Sequence, residues 1–135
     1  MANNNHTILH IEDNFENRIL IRRILQYSGY EVLEAENAYE ALELLESSTP
    51  DMILMDINMP DIDGYSLTRQ LKSNIKFRNV PIIAITANVM KGDREKSLLA
   101  GCDGFIAKPI NVDSFVDQVE LFLEKYGIRN QENQC

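Results

Sequence analysis

Apolar and polar positions alternate in blocks along the chain, and the blocks change period. Ile8–Ile11 is a short apolar run interrupted by His10. From Phe15 to Tyr27, apolar residues fall at 15, 19, 20, 24 and 25, a helical spacing that Gly29 ends. Glu31–Ala35 predicts a brief strand, and Ala38–Leu45, apolar at 38, 41, 42 and 45, a second helix. Pro50 leads into the buried-strand run Met52–Met55. Tyr65–Ile75 places Leu67, Leu71 and Ile75 four apart, predicting a third helix. Pro81–Ile85 reads as a strand, Lys91–Ala100 as a weakly periodic helix stopped by Gly101, and Phe105–Ala107 as a last strand. Asn111 is a fair N-cap for Val112–Lys125, whose positions 112, 115, 116, 119, 122 and 123 form an apolar stripe, with a stop expected at Gly127. Five strands alternating with five helices predict an α/β domain, a doubly wound parallel sheet covered by helices on both faces.

Ligands of such sheets bind beyond the carboxyl ends of the strands, at a switch point in strand order. Glu12 and Asp13 follow the first strand, Asp56 the third, Thr86 the fourth and Lys108 the fifth. All end on one edge, so three carboxylates, a hydroxyl and an ammonium should converge. Two like charges ~4 Å apart repel by ~4 kcal/mol at an effective dielectric of ~20. One lysine does not offset three such pairs, whereas a hard divalent cation does, and an oxygen-only donor set suits Mg²⁺ or Mn²⁺. A lysine and a hydroxyl beside that metal are the groups that hold a phosphoryl group during transfer, and a carboxylate can be its nucleophile. Taken singly, each residue is ordinary: an acid pair as a helix cap, an aspartate opening a loop, a threonine at a strand end. The conjunction carries the functional reading.

Length and charge narrow the picture. At 135 residues, the chain suits one domain able to bury its own core. We expect polar tails at 1–6 and 127–135 around a body at 7–126. A net charge of −8 argues against direct binding to nucleic acid or an acidic membrane surface. The polar start predicts no signal peptide, and no apolar run approaches the ~20 residues of a membrane span. Cys102 and Cys135 show no metal or disulfide spacing, which fits free thiols in a cytoplasmic protein.

The stretches Ile8-Leu9-His10-Ile11-Glu12-Asp13-Asn14, Ile53-Leu54-Met55-Asp56-Ile57-Asn58-Met59-Pro60, Ile83-Ala84-Ile85-Thr86-Ala87 and Gly104-Phe105-Ile106-Ala107-Lys108-Pro109 resemble the receiver domain of two-component response regulators. The resemblance covers roughly residues 6–126. Met90-Lys91-Gly92-Asp93 and Ala100-Gly101-Cys102 are similar to stand-alone DivK-like receivers; chemotaxis-type receivers and those of hybrid kinases are also similar. The resemblance implies a flavodoxin-like sheet of order 2-1-3-4-5 and phosphorelay signalling rather than an enzyme proper. Transfer to the domain would be self-catalysed and autodephosphorylation slow. Asp56 would accept phosphoryl from a histidine kinase or histidine phosphotransfer protein. Asp13, Asp56 and the backbone carbonyl of Asn58 would hold Mg²⁺, with Glu12 nearby through water. Thr86 and Lys108 would bind the phosphoryl group. Phe105 would be the switch aromatic, turning inward as Thr86 moves, and the Lys108–Pro109 bond would be cis. The output partner would be a protein on the surface of the fourth helix, fifth strand and fifth helix.

Two positions depart from the family pattern. Glu12 stands where many receivers have aspartate, and its extra methylene shifts the carboxylate. Phe105 stands where chemotaxis receivers have tyrosine, and it offers no hydroxyl in an inward state. Three other functions share features with this chain. A flavodoxin-like nucleotide or flavin binder needs a Gly/Ser/Thr-rich loop after the first strand, where this chain has Glu12-Asp13-Asn14-Phe15-Glu16-Asn17. A haloacid-dehalogenase phosphatase carries its Asp-x-Asp after the first strand, not the third. A phosphorylation-independent pseudo-receiver usually loses an acid or the lysine, and this chain keeps them. His10 reads as a packed strand histidine, His6 as a solvated tail residue, and Asp61 and Asp63 as a solvated turn.

Overall fold

A computed structural model describes residues 6–59, 64–87 and 92–134. The elements follow in order β1 (Thr7–Ile11), α1 (Phe15–Tyr27), β2 (Glu31–Ala35), α2 (Ala38–Ser47), β3 (Met52–Asp56), α3 (Gly64–Lys72), β4 (Ile82–Thr86), α4 (Asp93–Ala100), β5 (Gly104–Ala107) and α5 (Val112–Gln134). The sheet is parallel throughout, in the order β2-β1-β3-β4-β5. Strands β3 and β4 are buried along their whole length, which is why they read as continuous apolar runs rather than alternating ones.

Strand alternation sorts the core into two layers. Leu9, Ile11, Ile53, Met55 and Ile82 face Ala41 and Leu45 of α2 and Leu67 and Leu71 of α3. On the opposite side, Ile8, Leu54, Ile83 and Ile85 meet Ile21 and Leu25 of α1 and Phe115 and Val119 of α5. Each fully buried aliphatic or aromatic side chain contributes about 1.5–3 kcal/mol. Asparagines start three helices: Asn14 accepts from Asn17 N at 2.9 Å, Asn37 from Glu40 N at 2.8 Å, and Asn111, as expected, from Asp113 N at 2.9 Å and Ser114 N at 3.2 Å. Helix α4 packs differently. Ser97 and Ala100 face inward, Leu98 and Leu99 are exposed, and Gly92 starts the helix without a side-chain cap.

Several sequence expectations shift. Helix α1 buries Ile21 and Leu25 and leaves Phe15 and Leu20 outside. Helix α3 stops at Lys72, and Ile75 is exposed. At the stop, Lys72 Nζ donates to Val80 O at 2.8 Å and pairs with Asp103 at 2.7 Å, tying the end of α3 to the residues just before β4 and β5. Val112 lies outside the stripe that Phe115, Val119 and Leu123 bury. Helix α5 continues through Gly127 to Gln134, so no stop occurs there; an interior glycine costs only about 1 kcal/mol against alanine and does not force an end. His6, expected in the tail, is tied down: its carbonyl accepts from Glu31 N at 3.0 Å and its ring stacks on Tyr30. Residues 1–5, Asp61, Asp63, Met90, Lys91 and Cys135 lie outside the described residues. Cys102 is buried and free.

Candidate functional site

The order 2-1-3-4-5 puts the switch point between β1 and β3, since β2 lies to one side of β1 and β3 to the other. Glu12 and Asp13 leave the end of β1, and Asp56 ends β3 beside them. Carboxylate oxygens of Glu12, Asp13 and Asp56 all lie within 4.8 Å of one another. Asp56 and Glu12 are buried, and Asp13 is exposed.

Asp56 is held from two directions. Lys108 Nζ reaches across from the end of β5 and donates to Oδ2 at 2.9 Å. The backbone N–H of Asn58 donates to Oδ1 at 2.8 Å. Thr86 is fully buried at the end of β4, and the Lys108 N–H donates to the Thr86 carbonyl at 2.8 Å, which locks those two strand ends together. The Lys108–Pro109 peptide is cis, as expected. Phe105 is half-buried and packs against the α2–α3 side of the core.

The cluster's charge is under strain. Burial, then the neighbouring Asp56 carboxylate, pushes the Glu12 carboxyl up to about 8, against the pull of the Asn14 N–H and Lys108. Without a cation, Glu12 therefore carries a proton at neutral pH. Its Oε1 is buried and has no hydrogen-bond partner among the described residues. An orphaned buried carboxylate oxygen within reach of two further carboxylates is the donor set a hard divalent ion takes, so the residues fit Mg²⁺.

Three further side chains lie at this site: Arg18, which sequence reasoning passed over, His10, which it read as a strand histidine, and Asn58, which it used only through its backbone. Arg18 Nη1 donates to the Glu12 carbonyl at 2.9 Å, steadying the loop that carries the acid pair. Helical side chains lean toward the N-terminus, so an arginine in the first turns of α1 was positioned to reach back. His10 is fully buried two residues before Glu12, and neither ring nitrogen has a partner among the described residues; burial lowers its pKa to about 4 and keeps it neutral. Packed it is, hydrogen-bonded it is not. The side chain of Asn58 bonds Ala87 N at 2.8 Å.

This fold and this cluster define a class. The chain belongs to the response regulator receiver domain family, whose profile matches residues 8–120. It is a phosphorylation-switch domain of two-component signalling. Among individual relatives it is similar to the polar-differentiation response regulator DivK of Brucella anthropi, 40% identical over 117 residues that cover 87% of this chain and 95% of DivK. The receiver domain of a sensor histidine kinase from Pseudomonas aeruginosa, solved with magnesium coordinated in its active-site cleft, superposes with a TM-score of 0.78 at 37% identity, over 90% of this chain and 97% of that one. A CheY-like receiver domain protein from Methanospirillum hungatei gives a TM-score of 0.83 at 26% identity, over 93% and 98%.

Proposed function

We propose that Asp56 is the phosphoacceptor of this switch. The observation that carries the reading is the surroundings of its carboxylate: buried, gripped by Lys108 at 2.9 Å, and within 4.8 Å of the carboxylates of Glu12 and Asp13. A histidine kinase or histidine phosphotransfer protein supplies the group. An Asp56 oxygen attacks the phosphorus of a phosphohistidine, the P–N bond breaks, and its electron pair stays on the departing imidazole nitrogen. Lys108 then follows the charge onto the phosphoryl oxygens, and the Thr86 hydroxyl donates to one of them. Asp13, Asp56 and the Asn58 carbonyl, with Glu12 nearby through water, would hold Mg²⁺, or Mn²⁺ in its place. When bound, the metal neutralises charge on the transferring group. The chain's own groups catalyse transfer to Asp56, its autodephosphorylation is slow, and they act on no separate substrate.

The switch unit spans residues 7–126. Output is a protein partner on α4, β5 and α5, where Thr86 and Lys108 lead directly from the phosphoryl group, Phe105 responds to Thr86, and Leu98 and Leu99 are exposed. No helix among the described residues is long and apolar enough to cross a membrane. Together with a net charge of −8 this supports a cytoplasmic protein that does not bind nucleic acid directly. Acetyl phosphate with Mg²⁺, read by intact mass, tests the assignment. We expect one base-labile phosphoryl increment on wild type and none on Asp56→Asn. Stoichiometric labelling of Asp56→Asn removes Asp56 from the role.

A further inference from the structure

The reading above uses Asn58 only through its backbone, yet its side chain makes a short contact of its own. The amide oxygen of Asn58 accepts the backbone N–H of Ala87 at 2.8 Å. Because the partner is a donor, the amide atom facing it is the oxygen. The Asn58 N–H in turn donates to Asp56 Oδ1 at 2.8 Å. Two short bonds thus run from the acceptor carboxylate, through one asparagine, to the residue after Thr86.

The position of that Ala87 N–H gives the contact its meaning. Ala87 lines a cavity of about 570 Å³ together with Glu12 and Lys108, two residues whose side chains flank the Asp56 carboxylate. A phosphoryl group on Asp56 brings three acceptor oxygens into that space. Lys108 and Thr86 serve as donors for some of them, and Ala87 N–H is the next donor along the same strand end. Here a neutral carbonyl oxygen occupies it. Hydrogen bonds to charged acceptors are stronger than those to neutral ones, so an arriving phosphoryl oxygen outcompetes the amide.

We propose that the Asn58 side chain is a placeholder: its amide oxygen occupies the Ala87 N–H until a phosphoryl oxygen displaces it. Asn58 thereby sets the affinity of the site for a phosphoryl group, and its release uncouples the loop after β3 from the loop after β4. The proposal rests on Asp56 as the phosphoacceptor. Removing the side chain removes the bond that must be broken. The gain is that of one neutral hydrogen bond formed in competition with water, about two- to tenfold in affinity.

The test uses the full ¹⁵N-labelled chain, Mg²⁺ and beryllium fluoride as the phosphoryl mimic. Asn58→Ala removes the amide, and Asn58→Leu removes it while keeping the shape; both retain the backbone carbonyl offered to the metal. In the absence of metal we expect the Ala87 amide proton to move upfield in both variants while strand amides of β3 and β4 stay in place. Beryllium fluoride, titrated with Mg²⁺ saturating for each protein, should then bind about two- to tenfold more tightly than to wild type. An unmoved Ala87 resonance in both variants overturns the proposal. So does an affinity for the mimic, at saturating Mg²⁺, that is equal or lower. If wild type binds no beryllium fluoride at all, the assignment of Asp56 falls and this proposal with it; wild-type binding with unaltered variants overturns the placeholder alone.

Discussion

Lys108→Met deletes the ammonium that meets Asp56 Oδ2 at 2.9 Å and keeps most of the side chain's length. The Asp56 side chain is 3% exposed and that of Lys108 22%, so the pair is largely but not fully shielded from water. Breaking a buried pair from one side costs about 3–5 kcal/mol because the remaining charge is stranded. The partial exposure of Lys108 lowers this to about 2–3 kcal/mol. For a domain of this size that is a fall in Tm of about 8–12 °C. The loss should be largest without metal at pH 8, where the cluster is most fully ionised. It should shrink at pH 5, where protons neutralise part of the cluster, and shrink again in millimolar Mg²⁺, which replaces the missing positive charge. Thermal melts at the two pH values, with and without Mg²⁺, read all four conditions. An equal fall in all four would mean that the lysine acts through packing, and no fall at pH 8 would mean that Asp56 does not depend on it.

Asp13→Asn should weaken Mg²⁺ binding in a calorimetric titration yet raise the metal-free Tm, because it relieves repulsion worth up to ~1 kcal/mol at this exposed position; a lower metal-free Tm would contradict the reading. Glu12 sets a pH dependence. Its folded pKa of about 8 lies above the ordinary 4.5, so the stability it contributes is full below about pH 4.5 and is lost as pH rises through about 8. Urea melts of the metal-free protein should therefore weaken from pH 5 to pH 9, and Glu12→Gln should flatten that slope; an unchanged slope would remove Glu12 as its source. Phe105→Ala should leave Asp56 open to phosphorylation while amide shifts on α4 and α5 stop responding to a phosphoryl mimic. Shifts that persist there would take Phe105 out of the coupling.

The strand ends were legible because β3 and β4 are buried on both faces, and a fully buried strand announces itself as an apolar run that must stop where its first polar residue appears. Asp56 and Thr86 are those residues. Helix faces were less legible. Phe15, Leu20 and Ile75 are as apolar as Ile21 and Leu25, and nothing local says which lie against the sheet; the angle at which each helix leaves its loop decides. The grip of Arg18 on the Glu12 carbonyl and that of Asn58 on Ala87 N–H were illegible for another reason. Both are side-chain bonds to backbone groups, and backbone partners leave no mark in residue identity. Lys72 and Asp103, 31 positions apart, likewise meet only once α3 and β5 are packed.

Helix α4 is fastened to its neighbours by small side chains. Among its described side chains the inward ones are Ser97, whose hydroxyl has no partner among the described residues, and Ala100, while Leu98 is half exposed and Leu99 lies in water. A buried leucine is worth about 1.5–3 kcal/mol, so little free energy opposes lifting this helix from α3. Its amide hydrogens should exchange with deuterium through a local opening, well before those of α1 or β3, which wait for global unfolding. A protein that covers Leu98 and Leu99 supplies the burial α4 lacks. Slowed exchange in this one helix would be the mark of a partner on the proposed output face, at a distance from the cluster around Asp56.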